Sequence, residues 1–207
     1  MIAVLDLGFG NVASVMNMLK KIRVSACIAD NRLAISSANG IILPGVGSFD
    51  NCLRLARKDS LLMGELEDKV LSQKVPFLGI CVGMQMLFET SDEGIEPGFG
   101  WISGQVKKFN FDDNKTKIPH MGWSEVKPEN GAEALLDLHT INRFYFVHSY
   151  YVECNNKLNS IAFTEYGGKQ FTVAVNHENI FGVQFHPEKS HKFGLNLLTK
   201  FARLVDV

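Results

Sequence analysis

Phe77-Leu78-Gly79-Ile80-Cys81-Val82-Gly83-Met84-Gln85 begins as a β-rich apolar run, stops at Gly-x-Cys-x-Gly and continues as a helix. The pattern is that of a nucleophile elbow with cysteine in place of serine. Its glycines are needed because the turn is too tight for Cβ atoms against the neighbouring strand and helix. Such a turn pushes the sulfur out of the end of a sheet and sets it at a helix N-terminus, where the local field favours thiolate. It also aims the Val82 N–H at the place where an oxyanion would form. Taken alone, the segment fits a buried structural cysteine with packing glycines equally well.

Outward from this segment, the first half alternates strand and helix. Ile2 to Leu5 reads as a strand, followed by a helix with Val12, Val15, Met16 and Leu19 on one face. Val24 to Ala29 and Gly40 to Leu43 read as strands, the latter stopped by Pro44-Gly45-Val46-Gly47. Helices are expected over 49–57, 60–73 and 82–89, and a buried strand over Val75 to Ile80. Strands separated by helices imply parallel pairing with helices on both faces. The second half reads as short strands at 104–109, 144–153, 160–166, 170–176 and 180–185, with antiparallel pairing and a turn around Asp112-Asp113-Asn114-Lys115. A helix over 193–204 closes the chain, with Gly194 in its first turn doing little harm. The expected class is α/β: a flavodoxin-like, mostly parallel central sheet with an antiparallel extension.

The bulk properties narrow the function. A length of 207 residues suits one compact domain spanning 1–207, with a substantial core. The formal net charge is −1 and the basic residues are scattered, so neither nucleic acid nor an anionic membrane is the expected partner. No apolar run approaches the length that spans a bilayer. Met1-Ile2-Ala3-Val4-Leu5-Asp6 carries no basic leader and reads as a buried strand, so cytoplasmic residence is expected. Cys27, Cys52, Cys81 and Cys154 form no C-x-x-C pair, and no Cys/His group has zinc-ligand spacing. Neither a metal nor an organic cofactor is called for, and most of these cysteines read as small buried hydrophobes.

A nucleophilic cysteine needs a base, and the base needs an orienting partner. The apolar run from Ile180 ends in Phe185-His186-Pro187-Glu188, which puts His186 at a strand's end, where catalytic groups collect in open α/β sheets. Pro187 fixes its own φ and keeps the loop from continuing the ladder, so the Glu188 carboxylate can hold the far imidazole nitrogen. Alone, this is also a surface His-Pro turn; the pairing with a cysteine elbow raises it. The two glycines of Pro44-Gly45-Val46-Gly47 permit a backbone that turns N–H groups toward a ligand, a second oxyanion donor beside Val82.

These pieces resemble the class I, or triad, glutamine amidotransferases over nearly the whole chain. Within them the likeness is to the glutaminase subunit of imidazole glycerol phosphate synthase, the HisH type. The segments that carry it are Pro44-Gly45-Val46-Gly47-Ser48-Phe49, Gly79-Ile80-Cys81-Val82-Gly83-Met84-Gln85, His120-Met121-Gly122-Trp123, Tyr145-Phe146-Val147-His148-Ser149-Tyr150 and Gly182-Val183-Gln184-Phe185-His186-Pro187-Glu188-Lys189-Ser190. The resemblance implies that Cys81 attacks the side-chain amide of glutamine, that His186 protonates the departing ammonia and then activates water, and that Glu188 orients His186. It implies an oxyanion strand at Gly45-Val46-Gly47, with Gly45, Gln85, His148, Ser149 and Tyr150 around the bound glutamine. It further implies ammonia delivery to a (β/α)8-barrel cyclase in a heterodimer, with Met121 and Trp123 in the interface; by their residue types alone these two fit core packing as well.

Two departures from the family's usual pattern leave the acceptor open. Asp6-Leu7-Gly8-Phe9-Gly10-Asn11 stands where Asp-Tyr-Gly-Met-Gly-Asn is common, and Ser124 stands where Asn is common after Met-Gly-Trp. One alternative keeps the chemistry and amidates a surface-polysaccharide sugar. A cysteine peptidase or deglycase on a related fold would also use a Cys elbow and a His, but leaves Gln85, His148-Ser149-Tyr150 and His-Pro-Glu unexplained together. A non-catalytic binding module is the plainest alternative.

Overall fold

The apolar runs become the centre of one mixed sheet, seen in a computed structural model that describes residues 1–111 and 116–205. The turn expected at Asp112-Asp113-Asn114-Lys115 lies outside the described residues. In chain order the elements are β1 (Ile2–Leu5), α1 (Val12–Lys21), β2 (Ala26–Ala29), α2 (Arg32–Ser36), β3 (Gly40–Gly45), α3 (Phe49–Ala56), α4 (Ser60–Glu67), β4 (Phe77–Cys81), α5 (Val82–Gln85), β5 (Thr90–Ser91), β6 (Gly104–Lys108), β7 (His120–Pro128), β8 (Asn142–His148), β9 (Tyr150–Cys154), β10 (Ser160–Tyr166), β11 (Lys169–His177), β12 (Ile180–Val183) and α6 (His191–Leu204).

The main path of the sheet runs β2-β1-β3-β4-β12-β11-β10-β7-β8. Its first five strands are parallel, and the pairs from β12 to β8 are antiparallel. The strands β5, β6 and β9 form a branch that joins β11 through β9. Every residue of β1, β3, β4 and β12 is buried, as central parallel strands covered on both faces must be. Passing from β1 outward to β2 and back across to β3 by right-handed crossovers puts α1 and α2 on opposite faces. Accordingly α1 packs with α6 and α2 packs with α4.

Five sequence expectations change. The strand at Gly40 does not stop at Pro44 but runs to Gly45, pairing Pro44 with Ile80 and Gly45 with Cys81. The pairing of β1 with β3 ends at Val4 and Ile42, so Pro44 sits where that side of the strand needs no amide donor. The helix expected over 82–89 is four residues long. The carbonyls of Met86, Leu87, Phe88 and Glu89 accept instead from the amides of Phe99, Ile102, Gly100 and Gly98, which draws that segment out of the helix. The single strand expected over 144–153 is two, because the chain changes partners at Ser149: β8 pairs with β7, and β9 with β6 and β11. The nine-residue β7 was not foreseen, since its side chains include one β-branched residue, Val126. Finally, α1 buries Met18 rather than Met16 beside Val12, Val15 and Leu19.

Candidate active site

Cys81 is the last residue of β4 and the first cap of α5, at φ +56° and ψ −113°. A non-glycine residue there carries strain of about 1–3 kcal/mol and persists only when its surroundings fix it. The glycines on either side do that. A Cβ on Gly79 would stand 2.5 Å from the Gly83 carbonyl oxygen, and one on Gly83 would stand 2.2 Å from the Leu43 carbonyl oxygen. Only glycine lets β3, β4 and α5 close on the cysteine in this way. Because α5 is a single turn, its dipole at the sulfur is smaller than the expected long helix would give.

Pairing of β12 with β4 sets Val183 opposite Ile80, so the next step of the register brings Gln184 beside Cys81. Alternation along the extended chain then turns Phe185 away, where it stacks on Phe144 at 3.9 Å, and returns His186 to the side of Gln184. His186 Nδ1 lies 2.8 Å from Glu188 Oε1, with both side chains about 2% exposed or less. A carboxylate only accepts, so Nδ1 carries the hydrogen and Nε2 is left for the sulfur. Nε2 is buried and has no hydrogen-bond partner. Burial alone would lower the His186 pKa; the Cys81 sulfur and the Glu188 carboxylate outweigh it and raise the value to about 9. The loop that carries the histidine is fixed by three further bonds. His186 N–H donates to the Tyr145 carbonyl, Ser190 Oγ donates to the His186 carbonyl, and Tyr145 N–H donates back to Ser190 Oγ.

The sulfur opens on a cleft of about 220 Å³ lined by Gly47, Cys81, Val82, Gln85, Glu93, Pro119, Val147, His148, Ser149 and Tyr150. This is below the usual range for drug-sized ligands and suits a single amino acid. Gly47, Val82, Gln85, His148, Ser149 and Tyr150 therefore come together around Cys81. Gly45 does not reach the cleft: it is buried in β3, where a Cβ would stand 2.4 Å from the Gly83 amide nitrogen. The Val46 side chain is half-exposed, and its carbonyl oxygen lies 3.9 Å from the Cys52 thiol, too long for more than a weak contact.

Sequence reasoning missed three polar groups here. Glu93, which precedes the exposed Ile95, accepts the Phe49 N–H at 2.8 Å and so places a carboxylate in the cleft. Gln184 is fully buried and donates to Cys81 Sγ at 3.6 Å. His120 pairs through Nδ1 with His148 Nε2 at 2.9 Å, and His148 Nδ1 meets the Tyr150 carbonyl at 2.8 Å. Burial pushes His120 down to about 4 and His148 to about 3, so both are neutral. Along β7 the inner face carries His120 and Val126, while Met121 is 61% and Trp123 39% exposed on the outer face. Trp123 stacks on His191 at 5.7 Å. Core packing is thus ruled out for both.

Comparison with known proteins follows the same lines. The family model "Glutamine amidotransferase class-I" matches residues 3–204. The imidazole glycerol phosphate synthase subunit HisH of Leptospira interrogans is 48% identical over 99% of this chain and 100% of its own length. Subunit HisH 2 of Methanococcus maripaludis is 48% identical over 98% and 99%, and HisH 2 of Pseudomonas aeruginosa 45% over 99% and 100%. Among solved structures, a glutamine amidotransferase superposes with a TM-score of 0.77 at 19% identity over 100% of this chain and 99% of that one. PurLQS from Thermotoga maritima gives 0.73 at 18% over 99% and 98%. Both establish the fold.

Proposed function

The chain belongs to the class-I glutamine amidotransferases, among the HisH subunits of imidazole glycerol phosphate synthase, and from that premise we propose how its residues release ammonia from glutamine. In this reading residues 1–207 act as one glutaminase domain, and glutamine enters the cleft amide first. Its ammonium faces the Glu93 carboxylate, and its amino-acid end meets Gln85, His148, Ser149 and Tyr150, since a desolvated charge pair must be matched. The Cys81 sulfur attacks the side-chain carbonyl carbon, and the C–S bond forms as the C=O electrons move to oxygen. The N–H groups of Val82, Gly47 and Val46 surround that oxyanion. When the C–N bond breaks, the His186 imidazolium gives its Nε2 proton to the leaving nitrogen, and ammonia departs. His186, now neutral, takes a proton from water, which attacks the thioester; glutamate leaves and the sulfur recovers its electron pair. Glu188 holds the tautomer throughout.

The observation that carries this reading is a cysteine strained into an elbow beside a buried His186–Glu188 pair. Ammonia is useful to an acceptor only while unprotonated, so the product needs a sheltered path into a partner. We assign that partner as a (β/α)8-barrel cyclase seated on Met121 and Trp123, in the cytoplasm. No helix among the described residues is long and apolar enough to cross a membrane. The experiment is glutamate release from glutamine by the purified chain, alone and with a histidine-pathway cyclase barrel and its nucleotide ligand. Strong stimulation that disappears in Cys81→Ala is the expected result. Activity that survives Cys81→Ala sinks the assignment of the nucleophile. A barrel competent on added ammonium that gives no stimulation turns the acceptor to the surface-polysaccharide sugar.

A further inference from the structure

Gln184 is 0% exposed, and both ends of its amide are engaged. Its Nε2 lies 3.6 Å from Cys81 Sγ, and its Oε1 lies 3.0 Å from Gln85 Nε2. Gln85 Nε2 is also 3.4 Å from the Tyr150 carbonyl oxygen. The direction of these bonds follows from chemistry alone. A backbone carbonyl can only accept, so the end of Gln85 beside Tyr150 is its NH2. That same NH2 meets Gln184, whose near end is therefore the oxygen. The Gln184 NH2 is left facing the sulfur.

The anchor of this chain is itself fixed. The Tyr150 carbonyl accepts from His148 Nδ1, so the free lone pair of His148 is on Nε2 and takes a hydrogen from His120 Nδ1. His120 Nε2 then accepts from Ser124 Oγ at 2.8 Å. Donation runs one way from Ser124 to the Tyr150 carbonyl, and the buried amides have no alternative arrangement that satisfies every group. The sulfur thus receives a hydrogen bond from Gln184, beside a buried His186 whose charged form the same sulfur favours.

We propose that Gln184 is a further catalytic residue of this site: its amide donates to the Cys81 sulfur and holds negative charge there, both before the attack on glutamine and when the thioester breaks. Gln184 transfers no proton. The proton given to ammonia comes from His186, and the electron pair returned in hydrolysis goes to sulfur, to which the Gln184 N–H donates its hydrogen bond. The inference rests on Cys81 being the nucleophile.

The test uses the full chain and two rates. One is alkylation of Cys81 by iodoacetamide at pH 7, followed by mass spectrometry of its peptide, which needs no glutamine. The other is glutamate release, resolved into kcat and KM. Gln184→Met keeps the volume and removes the donor; it is expected to lower kcat by at least about tenfold, the worth of one charge-assisted hydrogen bond, and to slow alkylation by about fourfold, since a less stabilised thiolate is rarer but more nucleophilic. KM stays within a factor of about three, a shift of less than 1 kcal/mol. Gln184→Glu, which puts a carboxylate oxygen against the sulfur, is expected to be slower still. Gln85→Met leaves Gln184 in place but frees its amide to turn, and the alkylation rate falls by a smaller factor; this variant decides the matter if those at 184 do not fold. Wild-type alkylation rates in folded Gln184→Met, or in Gln85→Met, overturn the inference. Failure of the underlying reading shows separately, as wild-type protein that releases no glutamate in a Cys81-dependent way.

Discussion

At Glu188 one carboxylate oxygen holds His186 Nδ1 and the other is buried with no partner. Glu188→Gln keeps the shape but offers an amide NH2 that can turn toward Nδ1 and impose the wrong tautomer. It is expected to lower kcat by about 10²–10⁴-fold with little change in KM, as for other orienting carboxylates; a kcat within threefold of wild type refutes the role. The neutral pair His120 and His148 makes a second prediction. Their folded pKa values lie below the usual histidine value, at about 4 and 3. Between there and about 6.5 the unfolded chain binds more protons, so stability is fully present above that window and is lost as pH falls through it. Thermal midpoints are expected to drop steeply from pH 6.5 toward 4. His120→Gln, which cannot titrate, is expected to flatten the slope, and an unchanged slope counts against this origin.

The elements are joined where backbone approaches backbone, and α6 gives the sharpest test. By helix propensity alone Gly194→Ala would stabilise by up to about 1 kcal/mol. A Cβ there, however, would stand 1.8 Å from the Pro187 carbonyl oxygen, in the loop between His186 and Glu188. Packing should win: the variant is expected to lose about 1–3 kcal/mol in urea unfolding, and kcat should fall because the triad loop must shift. A higher urea midpoint would show that the loop yields freely. The same close approach explains why Gly194 reads as harmless in the sequence: its constraint comes from a turn seven residues earlier, which no helical pattern encodes.

Taken whole, the molecule sets the cleft and the exposed pair Met121 and Trp123, which we propose as its docking face, on neighbouring parts of one sheet. Pro119 lines the cleft, and two and four residues on, Met121 and Trp123 point outward from β7. This continuity suits a subunit that must hand ammonia over before water protonates it. Trp123→Ala and Met121→Ala are expected to weaken binding of the proposed barrel partner by at least about tenfold each, as buried interface anchors do. Titration calorimetry reads this directly, while the thermal midpoint of the free chain stays near wild type because both side chains are exposed. Unchanged affinity in both variants would move the interface elsewhere.

The sequence by itself determined the parallel half of the sheet, the elbow, and the proposal that Cys81, His186 and Glu188 work together. These rest on local signals: buried apolar runs, glycines where no Cβ fits, and a base two residues from its orienting carboxylate. Tertiary structure decided the rest. The helix after Gln85 ends early because carbonyls from Met86 onward find amides between Gly98 and Ile102. β7 exists because β8 and β10 pair with it, not because its residues favour strand. Glu93 and His120 enter the site from separate elements, and Gln184 owes its place beside Cys81 to the register of β12 against β4, a pairing between segments about a hundred residues apart. Hydrogen bonds of that range leave no periodicity in the chain, so only the folded molecule shows them.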